Sequence, residues 1–251
     1  MARKLSKSFA SPSSIMLSST ATSSSSAAAN SSAILPSSLA DPALALPKLI
    51  VFDLDYTLWP FWVDTHVSPP LKPSPTRTSA ADKFGEDFAL YADVPWILQL
   101  LPRAIGCDPS SSSAPNAPIK LGVASRTSAP QLARDLLKML HLPPLEEGDK
   151  SRRAIDVFDG PMEIYPSSKI RHFEAIQKKT GIRFEDMLFF DDERRNAETE
   201  RLGLTMWLVS DGLCWGEVEK GVEEWRRRRG FRTRSEGSVS GEQRRRDGIS
   251  G

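Results

Sequence analysis

The sequence predicts an α/β fold built on a central parallel sheet, and three observations predict it. Short apolar runs alternate with amphipathic stretches of helical length, the pattern left by crossover helices that join parallel strands. Several runs end in clustered polar residues, as at Asp53 and Asp55, Ser125 to Thr127 and Asp191 to Glu193. Ligands of open α/β sheets bind at that edge, beyond the carboxyl ends of the strands. A chain of 251 residues with 39% hydrophobic content suits one domain with a sizeable core and polar tails.

Leu49 to Leu54 reads as the first strand. After a long irregular stretch, a helix runs from about Asp93, an N-cap candidate, to about Ala104, with Ile97, Leu98, Leu100 and Leu101 apolar. Residues 69–80, rich in Pro, Ser and Thr, and residues 107–118, with four consecutive Ser, read as flexible insertions. Ile119 to Ala124 is the second strand. The helix that follows Thr127 or Ser128 tolerates Pro130 in its first turn, carries Leu132, Leu136, Leu137 and Leu140 as a core stripe, and stops at Pro143-Pro144. A third strand is placed at Ala154 to Phe158. The next helix runs from near Ser168 to Gly181, with Phe173 and Ile176 inward. Met187 to Phe190 is the fourth strand, Glu193 to Leu202 a helix, Thr205 to Val209 the fifth strand, and Trp215 to about Arg229 the closing helix.

Residues 1–45 read as a disordered extension: the first 40 contain 15 Ser and 8 Ala, with Arg3, Lys4 and Lys7 the only charges before Asp41. The same composition has the character of an organelle transit peptide, so mitochondrial import is a competing reading. No apolar stretch is long enough for a signal-peptide core or a membrane span, and the expectation is an intracellular, cytoplasmic monomer without a membrane partner. Cys107, Cys214, His66, His141 and His172 are scattered, which indicates neither a disulfide framework nor a zinc site. From residue 226 onward there are nine Arg against Glu236, Glu242 and Asp247. With residues 230–251 read as a disordered basic tail, two readings stand: a solvated arm, or one that binds nucleic acid, a nuclear import receptor or an acidic membrane surface. Only Phe231 is interleaved for base stacking, which favours the solvated arm.

Asp53 and Asp55 carry the chemistry. Side chains at i and i+2 of an extended segment share a face, so both carboxylates can converge on one ligand, whereas a purely structural strand has no use for them. Ser125 can donate to a phosphoryl oxygen or merely cap a helix, and Arg126 can fork onto another oxygen. Lys169 sits in a first helical turn, where the macrodipole disfavours a cation unless an anion lies close; Lys150 and Arg171 are the fallback cations. Asp191 and Asp192 supply hard oxygens at a strand end, suited to Mg²⁺ with Asp53 and the Asp55 backbone carbonyl. The residues alone leave open which of that pair is the direct ligand. Asn196, a helical turn on, is placed to support them.

Taken together, Phe52-Asp53-Leu54-Asp55-Tyr56-Thr57-Leu58-Trp59-Pro60-Phe61-Trp62 and the later groups resemble the haloacid dehalogenase (HAD) superfamily, and within it the magnesium-dependent phosphatase 1 family, over about residues 47–229. The resemblance implies a Rossmannoid three-layer sandwich without a large cap domain, and a Mg²⁺-dependent phosphomonoesterase. It implies Asp53 as nucleophile, Asp55 as acid and base, Lys169 as the bridging cation, Leu54, Asp55, Ser125, Arg126 and Lys169 as substrate contacts, and Asp192 in preference to Asp191 on the metal. It further implies phosphotyrosine or sugar phosphates, including protein-bound ones, as substrates. Trp59, Phe61, Trp62 and His66 form an aromatic flap or belong to the core. The alternatives are a DNA 3′-phosphatase guided by the tail and a non-catalytic phosphate binder.

Overall fold

The structure, a computed structural model, describes residues 34–108, 111–115, 117–146 and 148–233. Five parallel strands make the central sheet: β1 (Leu49–Phe52), β7 (Lys120–Ser125), β10 (Met162–Ile164), β11 (Met187–Asp191) and β12 (Thr205–Leu208), in spatial order β10-β7-β1-β11-β12. The register sets Phe52 beside Val123 on one side and Phe190 on the other, so the chain ends that follow β1, β7 and β11 emerge at one edge.

All four residues of β1 are buried, and they alternate between two cores as a strand's side chains must. Ile50 and Phe52 join the larger core with the helices α2 (Val94–Leu100), α3 (Pro130–Met139) and α5 (Trp215–Arg228); Leu49 and Val51 join the smaller one with Phe173 and Ile176 of α4 (Lys169–Thr180). Helices therefore cover both faces, which is the three-layer α/β arrangement. At Gly221 a Cβ would stand 2.6 Å from the Phe190 ring, so a glycine lets α5 lie this close to β11.

Between β1 and β7 lie the short helix α1 (Val63–His66), an antiparallel sheet of β2 (Lys72–Pro73), β3 (Ser79–Ala81) and β4 (Asp87–Ala89), and α2. Ala80 and Phe88 of that small sheet pack into the main core, so it is part of the domain and not a separate cap. This corrects the expectation of a flexible insertion at 69–80. Within 107–118, also expected to be flexible, β5 (Cys107–Asp108) pairs with β6 (Ser111–Pro115). A further pair, β8 (His141–Leu142) and β9 (Arg152–Arg153), follows α3.

Two elements differ in kind from the sequence reading. Ala154–Val157 is a 3₁₀ turn, and the edge strand lies later, at Met162–Ile164. Arg194–Leu202 is 3₁₀ and not α-helical; its buried residues, Asn196 and Thr199, are three apart, the repeat of a 3₁₀ helix.

The described part of the amino-terminal segment is not loose. Leu39 and Leu46 are fully buried and Leu44 nearly so, which corrects the expectation of disorder up to residue 45; residues 1–33 lie outside the described residues. Nor are the first arginines of the basic run free. Arg226, 1% exposed, donates to the Ala45 carbonyl (2.8 Å) and the Ser38 carbonyl (2.9 Å) and pairs with Glu223 (3.2 Å). Arg227 and Arg228 pair with Glu224, and Arg229 donates to the Glu185 and Gly203 carbonyls. Residues 234–251, the rest of the tail, lie outside the described residues. No helix among the described residues is long and apolar enough to cross a membrane.

Candidate active site

The carboxyl edge of the sheet holds a pocket lined by Asp53, Asp55, Trp62, Asp64, Ser125, Arg126, Thr127, Lys169, Asp192, Glu193 and Arg195. Its volume is about 150 Å³. A drug-sized ligand needs a pocket of at least roughly 300 Å³. This one has room for a phosphoryl group and its nearest atoms, so the remainder of a substrate must lie at the rim.

Lys169 is the hub. It stands at the first position of α4, beyond Ser168, whose Oγ accepts from Arg171 N as the N-cap. Its Nζ, 1% exposed, donates to Asp53 Oδ1 at 2.6 Å and to the Ala124 carbonyl at 2.5 Å, and pairs with Asp191 Oδ2 at 2.9 Å. Three donors thus meet three acceptors, which compensates a buried ammonium. Burial alone would lower the pKa of Lys169, but the Asp53 and Asp191 carboxylates outweigh it and hold it above the ordinary lysine value. Burial pushes Asp53 up; Lys169 opposes that shift, and Asp191 adds to it.

Asp55 lies two residues after Asp53 but is held differently. β1 stops at Phe52, and Thr57 N and Leu58 N both turn back to the Leu54 carbonyl. Asp55 Oδ1 accepts from Trp59 Nε1 (2.7 Å) and Val63 N (3.2 Å). Burial raises its pKa to about 6 even though both hydrogen bonds lower it. Two like carboxyls on one strand end therefore sit in unlike surroundings.

The Asp191-Asp192 pair divides. Asp191 is fully buried behind the pocket, where it accepts from Lys169, from Glu193 N (2.7 Å) and from Asn196 Nδ2 (2.9 Å to each oxygen). Asp192 lines the pocket itself, and burial followed by repulsion from Asp191 raises its pKa to about 6. Asn196 also accepts from Arg126 Nη1 at 3.4 Å, so it joins the two sides of the pocket. Ser125 Oγ accepts from Thr127 N at 3.4 Å, a loose cap. Leu54 is fully buried and does not line the pocket; Lys150 and Arg171, the fallback cations, are exposed and do not reach it.

The aromatic residues separate by burial. Trp59 and Phe61 are core, stacked at 5.3 Å, while Trp62 is 50% exposed at the pocket and His66 stacks on it at 5.7 Å. Asp64 and Arg195 were given no role by the sequence. Asp64 reaches the pocket only because α1 folds back to Ser128, and Arg195 belongs to a charged run that reads as solvated surface. Outside the pocket, one turn on from Lys169, His172 is fully buried, with Nε2 3.0 Å from the Tyr165 carbonyl and Nδ1 unpartnered. Burial, then the nearby Lys169 charge, lowers its pKa to about 4.

Among the described residues no three acidic, His or Cys side chains form a preformed metal cage. The donors that do line the pocket, Asp53, Asp55 and Asp192, are hard oxygens beside room for a phosphate. That set fits magnesium, which takes one or two carboxylates and completes its shell with water and phosphate oxygens.

A model of the acid phosphatase family matches residues 45–228. Magnesium-dependent phosphatase 1 of Homo sapiens is 44% identical over 179 residues, which cover 71% of this chain and 86% of that protein. The chain belongs to the magnesium-dependent phosphatase 1 family. A HAD-like hydrolase superfamily protein of Schizosaccharomyces pombe is 41% identical over 163 residues, covering 64% of this chain and 85% of that one. The family model's match spans β1 to α5, the whole of the sheet and its crossovers. As a magnesium-dependent phosphatase 1 family member the chain is a HAD-type phosphatase, and its substrates are phosphorylated compounds.

Proposed function

We propose that the pocket hydrolyses phosphomonoesters through a phosphorylated Asp53. The observation that carries the reading is Asp53 at the pocket with Lys169 Nζ 2.6 Å from its Oδ1. One oxygen of Asp53 attacks phosphorus in line with the leaving oxygen. Asp55, whose pKa burial raises to about 6, enters the step in its protonated form and gives that proton to the leaving oxygen as the ester P–O bond breaks. Asp55, now a carboxylate, takes a proton from a water that attacks the phosphorus of the aspartyl phosphate. This releases inorganic phosphate and returns both carboxyls to their starting states. Lys169 keeps Asp53 oriented and offsets charge gathering on the phosphoryl oxygens. Ser125 and Arg126, which also line the pocket, bind those oxygens.

Magnesium, the metal in the human relative's name, would be held by Asp53, Asp192 and the Asp55 backbone carbonyl, and would neutralise phosphoryl charge and the negative charge of the paired carboxyls. The pocket's small volume and open rim support phosphotyrosine and sugar phosphates, free or attached to protein, as substrates.

Hydrolysis of phenyl phosphate by the full chain, with Mg²⁺ or EDTA, tests this against Asp53→Asn. Turnover that needs Mg²⁺ and vanishes in the folded variant is the expected result. Equal activity of the two proteins would overturn it.

A further inference from the structure

We infer that Trp62 selects the substrate, favouring monoesters whose leaving group presents a flat apolar ring beside the phosphoryl group. The inference rests on the catalytic reading above and deepens it. A leaving group too large for the pocket must pass the rim, and the large apolar side chain lining that rim is Trp62, half exposed to water. Its exposure is not looseness. The Tyr56 ring meets the indole edge-on at 5.2 Å, the His66 ring stacks on it at 5.7 Å, and Trp62 N donates to His66 Nδ1 at 3.0 Å. Tyr56 reaches that position with a left-handed φ of 53°, a conformation that bulky residues seldom adopt without compensation.

The two following residues fasten the indole to the catalytic groups. Val63 N holds Asp55 Oδ1, and Asp64 Oδ2 accepts from Ser128 N (3.1 Å) and Ser128 Oγ (2.8 Å). Burial alone would raise the Asp64 pKa, but the Ser128 hydrogen bonds hold it below the ordinary carboxylate value, so it stays a charged acceptor near neutral pH. Trp62-Val63-Asp64 therefore spans from Asp55 to the loop after β7, and the indole is positioned before a substrate arrives. A preordered ring surrenders little freedom on stacking, so the contact appears as affinity.

The test compares phenyl phosphate with ethyl phosphate as substrates of the full chain in Mg²⁺. A change in the ratio of the two kcat/KM values reads selection together with any change in proton donation by Asp55, which Val63 N holds, and the phosphonate affinities, which involve no leaving group, separate the two. Trp62→Ala should lower that ratio about fivefold, the size of one ring contact. Trp62→Phe should restore most of it, and Asp64→Ala, which releases Ser128, should lower it in the same direction. Calorimetry of phenylphosphonate and methylphosphonate reads the same selection without turnover, with the aromatic ligand losing its advantage in Trp62→Ala. An unchanged ratio, or a loss shared equally by both compounds, would overturn the assignment. If the unaltered protein hydrolyses neither ester, the catalytic reading fails, and the phosphonate affinities still decide whether Trp62 selects.

Discussion

Lys169 Nζ lies 2.6 Å from Asp53 Oδ1 although the two residues are 116 positions apart in sequence. The pairing closes the pocket between the end of β1 and the start of α4, and it fixes what loss of either group does.

Lys169→Met should lower kcat by about 10²- to 10³-fold, the cost of removing one preorganised charge-stabilising donor. Lys169→Arg should not rescue it, because a larger planar guanidinium has no space at a site only 1% exposed. Phosphate release assays on protein of native circular dichroism check both, and near-normal turnover by the Arg variant would refute the close packing.

Asp191→Asn and Asp192→Asn should fail in different ways. Asp192→Asn should raise the Mg²⁺ concentration for half-maximal activity by about tenfold or more while leaving thermal stability nearly intact. Asp191→Asn weakens the buried cluster with Lys169 and Asn196 and should lower stability by about 2–4 kcal/mol. Metal titration and thermal melts on the pair decide it, and identical profiles would contradict the division of roles.

His172 gives an acid-sensitive fold. Its folded-state pKa, about 4, lies below the ordinary 6.5, so the unfolded chain binds more protons between those values and stability falls as pH drops through that window. The loss is at most about 3 kcal/mol by pH 4. Replacing His172 by Gln should flatten the decline, measurable as urea midpoints from pH 7 to 4; parallel slopes in the two proteins would exclude His172 as the cause.

Arg226→Met removes the donor to the Ser38 and Ala45 carbonyls and the Arg226–Glu223 ion pair. A loss of about 2–4 kcal/mol is expected, read as a lowered Tm with unchanged kcat. A Tm within a degree of the parent would show that water replaces the guanidinium.

The central sheet was legible because β1, β7 and β11 are buried on both faces and read as unbroken apolar runs. β10 was not. It is three residues long, Gly160-Pro161 precede it and Glu163 interrupts it, whereas the denser apolar stretch before it packs as a 3₁₀ turn with Ala154 and Val157 inward. Asp53, Asp55, Ser125, Arg126, Lys169 and Asp192 could be named from strand ends and a helix start, and the structure brings all six to one pocket. Asp64 could not, since its place depends on a contact with Ser128 across 64 positions that no local pattern encodes. The small sheet at Lys72–Ala89 was hidden for a similar reason: strands of two or three residues carry too little periodicity to detect.

The arginine clamp has a temporal side. Arg226 meets Ser38 across 188 positions, so a chain made from its amino terminus finishes the site that holds residues 38–46 last. At about 5–20 residues per second, residues 38–46 wait roughly 10 to 40 s for α5 to be synthesised. Throughout that interval Leu39, Leu44 and Leu46 belong to a core that is not yet complete.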